Sequence, residues 1–309
     1  VDTSILLAKL RQYASLRQRP ESLGRGKGPA PFRADELSEG MEFGHYQLGR
    51  LLGEGGMGKV FLAKDVNLRR SVAIKVVQHH TNKDDALHRF YTEARAIARV
   101  QHPNVVTIYE IGETPCPYIA MEHIDGKCLD IFAANNPYDF RQIVDWTVQI
   151  LSALATVHAE GIIHRDLKPG NVMIDREKKA KVMDFGLAKM TETSVGVTNS
   201  GSLLGTPQFM APEQIDSSFG AVDARSDLFS TAGILYLLLT KTSPFPAKLL
   251  AQQLFAICSK EPENPLFINE EIPPELVAVC LKGLRKRKDE RYQSAQHFID
   301  ALESCRAHL

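Results

Sequence analysis

Two short runs in the sequence hold groups that could work together on a phosphate. The first is Ile163-His164-Arg165-Asp166-Leu167-Lys168-Pro169-Gly170-Asn171, which places a carboxylate, a lysine and an amide at fixed offsets. The second is Asp184-Phe185-Gly186, another carboxylate beside a glycine. Phosphoryl transfer uses such a set: oxygen ligands for the metal on a triphosphate, a cation for developing charge, and a carboxylate to orient and deprotonate a hydroxyl. A run kept only for packing has no reason to match at so many positions.

Two weaker signals lie upstream. Gly53-Glu54-Gly55-Gly56-Met57-Gly58-Lys59-Val60 fits G-x-G-x-x-G-x-V. Glycines at these spacings let a strand–turn–strand fold over a ligand, so that backbone N–H groups approach phosphates without Cβ clashes. Many glycine-rich turns bind nothing, and strand-like residues follow this one where a dinucleotide fingerprint needs a helix. Val72-Ala73-Ile74-Lys75 puts a lysine in an apolar strand. Buried, it needs a partner; alone, it would read as the solvent face of an edge strand. Glu93, in the helix that follows, is a suitable partner, and the pair would hold Lys75 toward phosphate oxygens.

The elements that must position these groups change character along the chain. Ile5–Leu16 has apolar residues at helical spacing (Leu6, Leu10, Tyr13), so residues 1–18 read as a short amphipathic helix; a docked helix and an unstructured tail both fit. Residues 19–45 read as a flexible linker, rich in glycine, proline and arginine in their first part. Short β-rich runs follow at Tyr46–Leu52, Lys59–Asp65, Ser71–Val77, Thr107–Glu113 and Tyr118–His123, with one helix inserted over Asp84–Val100. After Gly126 the pattern is mainly helical, led by Phe140–Ala159.

The 309 residues suit a domain of two lobes, and 44% hydrophobic content supports a large core. Lysine plus arginine equals aspartate plus glutamate, 37 each, which argues against a nucleic-acid or membrane-surface binder. The one dense basic cluster, Arg285-Lys286-Arg287-Lys288, reads as a solvated loop face. Five scattered cysteines without a C-x-x-C pair fit free thiols in a reducing cytosol. The apolar run Leu228–Leu239, interrupted by Ser230 and Thr231, is too short to span a membrane. No signal peptide is visible. The expectation is a cytoplasmic segment. Opening on Val1 suggests a fragment whose parent could be anchored elsewhere.

The whole set resembles the protein kinase family over Tyr46–Leu309, and its texture resembles bacterial serine/threonine kinases of the eukaryotic-like type. His102-Pro103-Asn104, Tyr118-Ile119-Ala120-Met121-Glu122, Gly205-Thr206-Pro207, Ala211-Pro212-Glu213-Gln214, Asp227 and Arg291 carry the likeness. The resemblance implies an α+β bilobal fold: an antiparallel-sheet N-lobe with one key helix (46–120), a hinge (121–126) and a mainly helical C-lobe (127–309). It implies ATP and Mg2+ as cofactors. Gly53, Glu54, Gly55, Gly56 and Gly58 would cover the phosphates, with Val60 and Ala73 above adenine and Met173 below it. Met121 would be the gatekeeper, with Glu122, His123 and Ile124 as the hinge. Lys75, paired with Glu93, would contact phosphates, Asp166 would be the base, Lys168 would neutralise the γ-phosphate, and Asn171 and Asp184 would bind the metal. Ile97, Ile108, His164 and Phe185 would stack as a regulatory core.

Glu213 would pair with Arg291. Lys168 and Thr206 match kinases that act on serine and threonine, so the expected partners are protein substrates, with no nucleic acid and with self-association for trans-autophosphorylation. Thr198 and Ser200 fall where related kinases are phosphorylated, and Arg165 and Lys189 would meet the phosphate, Arg165 as a buried charge needing an anion. Ala232 and Lys241 replace glycines usual in the family. A pseudokinase scaffold would lack one of Lys75, Asp166 or Asp184, and a small-molecule kinase would lack the 184–213 segment.

Overall fold

In the computed structural model residues 36–55, 58–77, 84–185 and 207–309 are described, with backbone only at 84–90 and 308. The predicted helix at 1–18 and the stretch holding Thr198, Ser200 and Thr206 lie outside them.

The first part is a six-stranded antiparallel sheet. Its strands are β1 (Glu42–Phe43), β2 (Tyr46–Gly55), β3 (Gly58–Asp65), β4 (Arg70–Val77), β5 (Ile108–Gly112) and β6 (Tyr118–Glu122), in the order β1-β2-β3-β4-β6-β5. Helix α1 (Asp84–Ile97) stands between β4 and β5 in sequence and ends three residues short of the predicted Val100. β4 is central and buried on both faces. Val72, Ile74 and Val76 pack with Leu48, Phe61 and Tyr118 on one face, while Ala73 packs with Val106, Ile119 and Met121 on the other. Side chains alternate along a strand, so Lys75 shares the Ala73 face. Residues 36–45, placed in the linker, pack with this sheet: β1 lies within them, Phe43 pairs with Tyr46, and Leu37 and Phe43 are buried.

Beyond Glu122 comes a feature that a mainly helical reading overlooks. β7 (Gly126–Cys128), β8 (Val172–Asp175) and β9 (Ala180–Val182) form a second antiparallel sheet. Strands of three or four residues are too short for alternation to reveal. Gly126 is obligatory there, because a Cβ would lie 2.1 Å from the Ile174 carbonyl oxygen.

The remaining helices are α2 (Leu129–Asn135), α3 (Phe140–Ala159), α4 (Pro212–Ile215), α5 (Ala224–Thr240), α6 (Leu250–Ser259), α7 (Pro274–Gly283) and α8 (Ala295–Cys305). Asp139 caps α3 by accepting from Gln142 N, and Asp223 caps α5 by accepting from Arg225 N. α5 is buried almost all round and packs against α3 and α7. Both departures from the family pattern are accommodated. The Ala232 methyl faces Gly283, where a Cβ would stand 2.5 Å away. Lys241 ends α5 in the left-handed region (φ 62°), where glycine is favoured, and its ammonium sits 3.4 Å above the Tyr138 ring.

The predicted Glu213–Arg291 pair forms, fully buried, with two contacts of 2.8 Å. Glu213 also accepts from Ser226, and Arg291 donates to the carbonyls of Arg285 and Lys286, so the pair's remaining polar atoms are met. Burial pushes the Glu213 carboxyl up, but Arg291 outweighs it and holds the group below its ordinary 4.5. Stability from Glu213 is therefore full above pH 4.5 and is lost as pH falls from there through the lower folded value. Glu213→Ala leaves Arg291 buried and unpaired, and should cost about 3–5 kcal/mol in urea denaturation at neutral pH. A loss under about 1 kcal/mol would contradict the account.

Candidate active site

The loop between α3 and β8 is held from beneath by one carboxylate. Asp227, in the first turn of α5 and 1% exposed, accepts from His164 N at 2.8 Å and from Arg165 N at 2.9 Å. His158 Nε2 lies 2.7 Å from the same carboxylate. These bonds hold Arg165 in the left-handed region, φ 64°, which costs a non-glycine residue about 1 kcal/mol or more. Gln214, on α4, donates to the Arg165 carbonyl at 2.7 Å. The reversal delivers Asp166 to the surface of the cleft. There Lys168 Nζ bonds Asp166 Oδ2 at 2.8 Å, and Asn171 Nδ2 bonds the Asp166 carbonyl at 2.8 Å and Oδ2 at 3.3 Å. With Nδ2 turned to Asp166, the oxygen of the Asn171 amide is turned the other way.

The second carboxylate comes from the turn after β9. Asp184 is also left-handed, φ 59°. Its neighbours are fixed by His164, whose Nε2 is 3.1 Å from the Met183 carbonyl and whose ring lies 4.8 Å from that of Phe185. His164 Nδ1 accepts from Asp166 N at 3.4 Å, so both bonds fit one tautomer, with the proton on Nε2. His164 thus ties the two loops together. Ile97, Ile108 and Phe185 line one small cavity with Lys75 and Asp184, which puts three of the four expected core residues at one place, with His164 stacked on Phe185.

Among the described residues the ion pair of Lys75 runs to Asp184, at 2.6 Å, in place of the expected pair with Glu93. Burial pushes the Asp184 carboxyl up, but Lys75, then His164 and Lys168, hold it below its ordinary value. The sequence fitted Glu93 to Lys75 by element order and by the family resemblance, neither of which says where the Asp184 turn is aimed. A second correction concerns Arg165. Its side chain is exposed, so it carries no buried charge that an anion must neutralise.

On the other wall, β2 and β3 pair through Gly53–Val60, Glu54–Lys59 and Gly55–Gly58, with Gly58 at φ 138°. A Cβ at Gly53 or Gly55 would meet no atom within 4 Å among the described residues beyond its chain neighbours, so packing against them does not demand glycine there. Gly56 lies outside the described residues. Val60, Ala73, Met121 and Ile124 gather in one apolar cluster, and Met121 pairs with Ala73 across the strands. Met173 stands apart from it on β8, with Cys128 Sγ 3.6 Å from its sulfur. The Glu122 side chain is held by Lys181 at 2.7 Å. Sequence reasoning missed His158, Lys181 and Gln214. Gln214 was visible only as part of Pro212-Glu213-Gln214, with no role attached.

Comparison with known proteins gives a family for this geometry. The model for the protein kinase domain matches residues 46–301. PknB of Mycolicibacterium smegmatis is 40% identical over 258 residues, covering 81% of this chain and 41% of the relative. PknB of Mycobacterium leprae is 39% identical over 257 residues, with the same coverage of 81% and 41%. Pkn1 of Myxococcus xanthus is 38% identical over 271 residues, or 85% of this chain and 38% of the relative. All three are named serine/threonine-protein kinases, and the chain spans about two fifths of their length. The chain belongs to the protein kinase family, among relatives of the eukaryotic-like bacterial type.

Proposed function

We propose that this domain transfers the γ-phosphate of ATP to serine and threonine hydroxyls of proteins. The observation that carries the proposal is the Asp166–Lys168–Asn171 cluster, held beside an Asp184 that is paired with Lys75. Asp166 accepts the proton of the attacking hydroxyl, and Lys168, 2.8 Å from it, offsets the charge that develops on the transferred group. Lys75 and Asp184 stand together where a phosphate cation and a metal ligand are needed side by side. The Asn171 amide oxygen and the Asp184 carboxylate are hard oxygen donors that fit Mg2+, which would supply neutralisation of the phosphate oxygens. Gly53 and Gly55 keep the β2–β3 hairpin free of side chains on a ligand's path. Glu54, Gly56 and Gly58 complete the phosphate cover, and Val60, Ala73, Met121, Glu122, Ile124 and Met173 surround adenine. Glu93 and Thr206 keep their family roles in this reading, Glu93 by taking Lys75 when the nucleotide is in place.

No helix of the described residues is long and apolar enough to cross a membrane. The domain works in the cytoplasm in this reading, and pairs with a second copy for trans-autophosphorylation at Thr198 and Ser200. The relatives' names support the serine/threonine class.

Lys75→Met and Asp184→Asn should each lower transfer from ATP to a generic basic protein by about a thousandfold or more, with the fold retained by circular dichroism. Near-wild-type rates in either variant would overturn the assignment. After incubation with ATP, mass mapping should find phosphate on Thr198, Ser200 or both, and the double alanine variant should be slower on substrate. Unmodified sites, or an equally fast double variant, would remove the proposed switch.

A further inference from the structure

The basic run Arg285-Lys286-Arg287-Lys288 is not the uniform solvated face that its composition suggests. Arg285 and Arg287 are exposed, and Arg287 bonds the exposed Asp289. Lys288 turns to Asp223 at 2.9 Å. Lys286 turns inward. Its Nζ lies 3.7 Å from the centre of the Phe245 ring and 5.9 Å from that of Phe229 on α5. It also donates to the Ile257 carbonyl at 2.8 Å.

Ile257 lies in the last turn of α6, where helix carbonyls lack an intrahelical donor and the dipole favours a cation. Lys286 is therefore the far end of a clamp on α6. Its own carbonyl accepts from Arg291, the partner of buried Glu213, so the clamp is rooted in the interior. The other end of the linkage reaches the site. α6 packs against α4 and against the turn Pro207–Phe209. Phe209, Met210 and Gln214 line a groove with Arg165, Asp166 and Lys168. That wall adjoins Asp166, to which a peptide hydroxyl is presented in the phosphotransfer reading.

We infer that Lys286 is a positioning residue for the protein substrate: by clamping the C-terminal turn of α6 it fixes the 207–214 wall against which a peptide lies. The inference rests on the phosphotransfer reading of the site. Among the described residues the contacts of Lys286 are with Ile257, Phe245, Phe229 and Arg291, so its effect falls on the peptide and not on ATP.

Burial pushes the Lys286 amine down from 10.5 to about 8, against the pull of Glu261 and Cys258 and with the push of Arg291. Cys258 and Glu261 face it from α6 and the segment just after, Arg291 from its own segment, and Asp216 stands beside Cys258. α5 and the Phe245 segment present rings. The charged amine holds both the ring contact and the stronger hydrogen bond. Both weaken as pH rises through about 8.

The test compares wild type, Lys286→Met and Lys286→Arg on a serine peptide with ATP and Mg2+, beside hydrogen exchange of α6. Lys286→Met should raise the peptide KM about fivefold with the ATP KM unchanged, and should speed exchange in the last turn of α6. Lys286→Arg should restore most of the peptide KM. The wild-type peptide KM should rise between about pH 7 and 9, and that rise should vanish in Lys286→Met. An unchanged peptide KM, or peptide and ATP KM rising together, would overturn the inference. So would unaltered α6 exchange, and that readout decides the matter even in a domain that transfers no phosphate. Absence of all transfer in the wild type would sink the phosphotransfer reading itself.

Discussion

The geometry of the site hangs on a carboxylate that touches none of the reacting groups. Burying Asp227 at 1% exposure would be costly if its oxygens were not met. They are met by two successive backbone amides, of His164 and Arg165, and by the His158 ring. The position at the first turn of α5 adds the favourable end of the helix dipole. In return the loop loses its freedom. Two adjacent amides aimed at one carboxylate hold the backbone in a reversed path, and the left-handed Arg165 is tolerated because its neighbours over-determine it. Asp166 and the residues to Asn171 then follow from chain geometry, stitched by the amide and ammonium bonds to Asp166. His164 passes the constraint on through Met183 and Phe185, so that the Asp184 turn is located by the same helix that locates Asp166. α5 can serve as this reference because it is the most enclosed helix among the described residues, with Ala232 against Gly283 allowing α7 to approach closely.

The substrate side is secured by a second root in the same interior. Glu213 and Arg291 fix the start of α4, and Gln214, one residue on, reaches the Arg165 carbonyl. A buried ion pair is a poor source of net stability, but it is specific in direction, and here it aligns a wall with a loop far away in sequence. Lys286 extends that alignment to α6. The larger lobe thus presents groups to the cleft whose positions are set by contacts made behind them.

Much of this was legible in the sequence, for a reason that particular residues make clear. Asp166, Lys168 and Asn171 act from one short loop, so their spacing along the chain is nearly their spacing in space. The glycine hairpin is equally local. The Glu213–Arg291 pair, 78 residues apart, was legible only through the family likeness. What stayed hidden depended on long-range aim or on very short elements. Lys75 pairs with Asp184, 109 residues away, and that pairing follows from a left-handed turn that no periodicity announces. Strands β7, β8 and β9 are too short to alternate visibly. Residues 36–45 precede the first β-rich run and read with the linker, yet Phe43 and Leu37 find apolar sites on the sheet. Lys286 is indistinguishable from Arg287 in sequence, and two aromatic rings separate their fates.

The most direct test of this account is the kinetics of Asp227→Ala. The substitution removes the acceptor for the two loop amides without touching any group placed at the phosphates, the metal or the hydroxyl. The account predicts a fall in kcat on the order of a hundredfold, with the ATP KM within about twofold of wild type, faster exchange of the His164 and Arg165 amides, and a cooperative unfolding transition retained. A variant with near-wild-type kcat, or one whose 164 and 165 amides stay as protected as before, would contradict it.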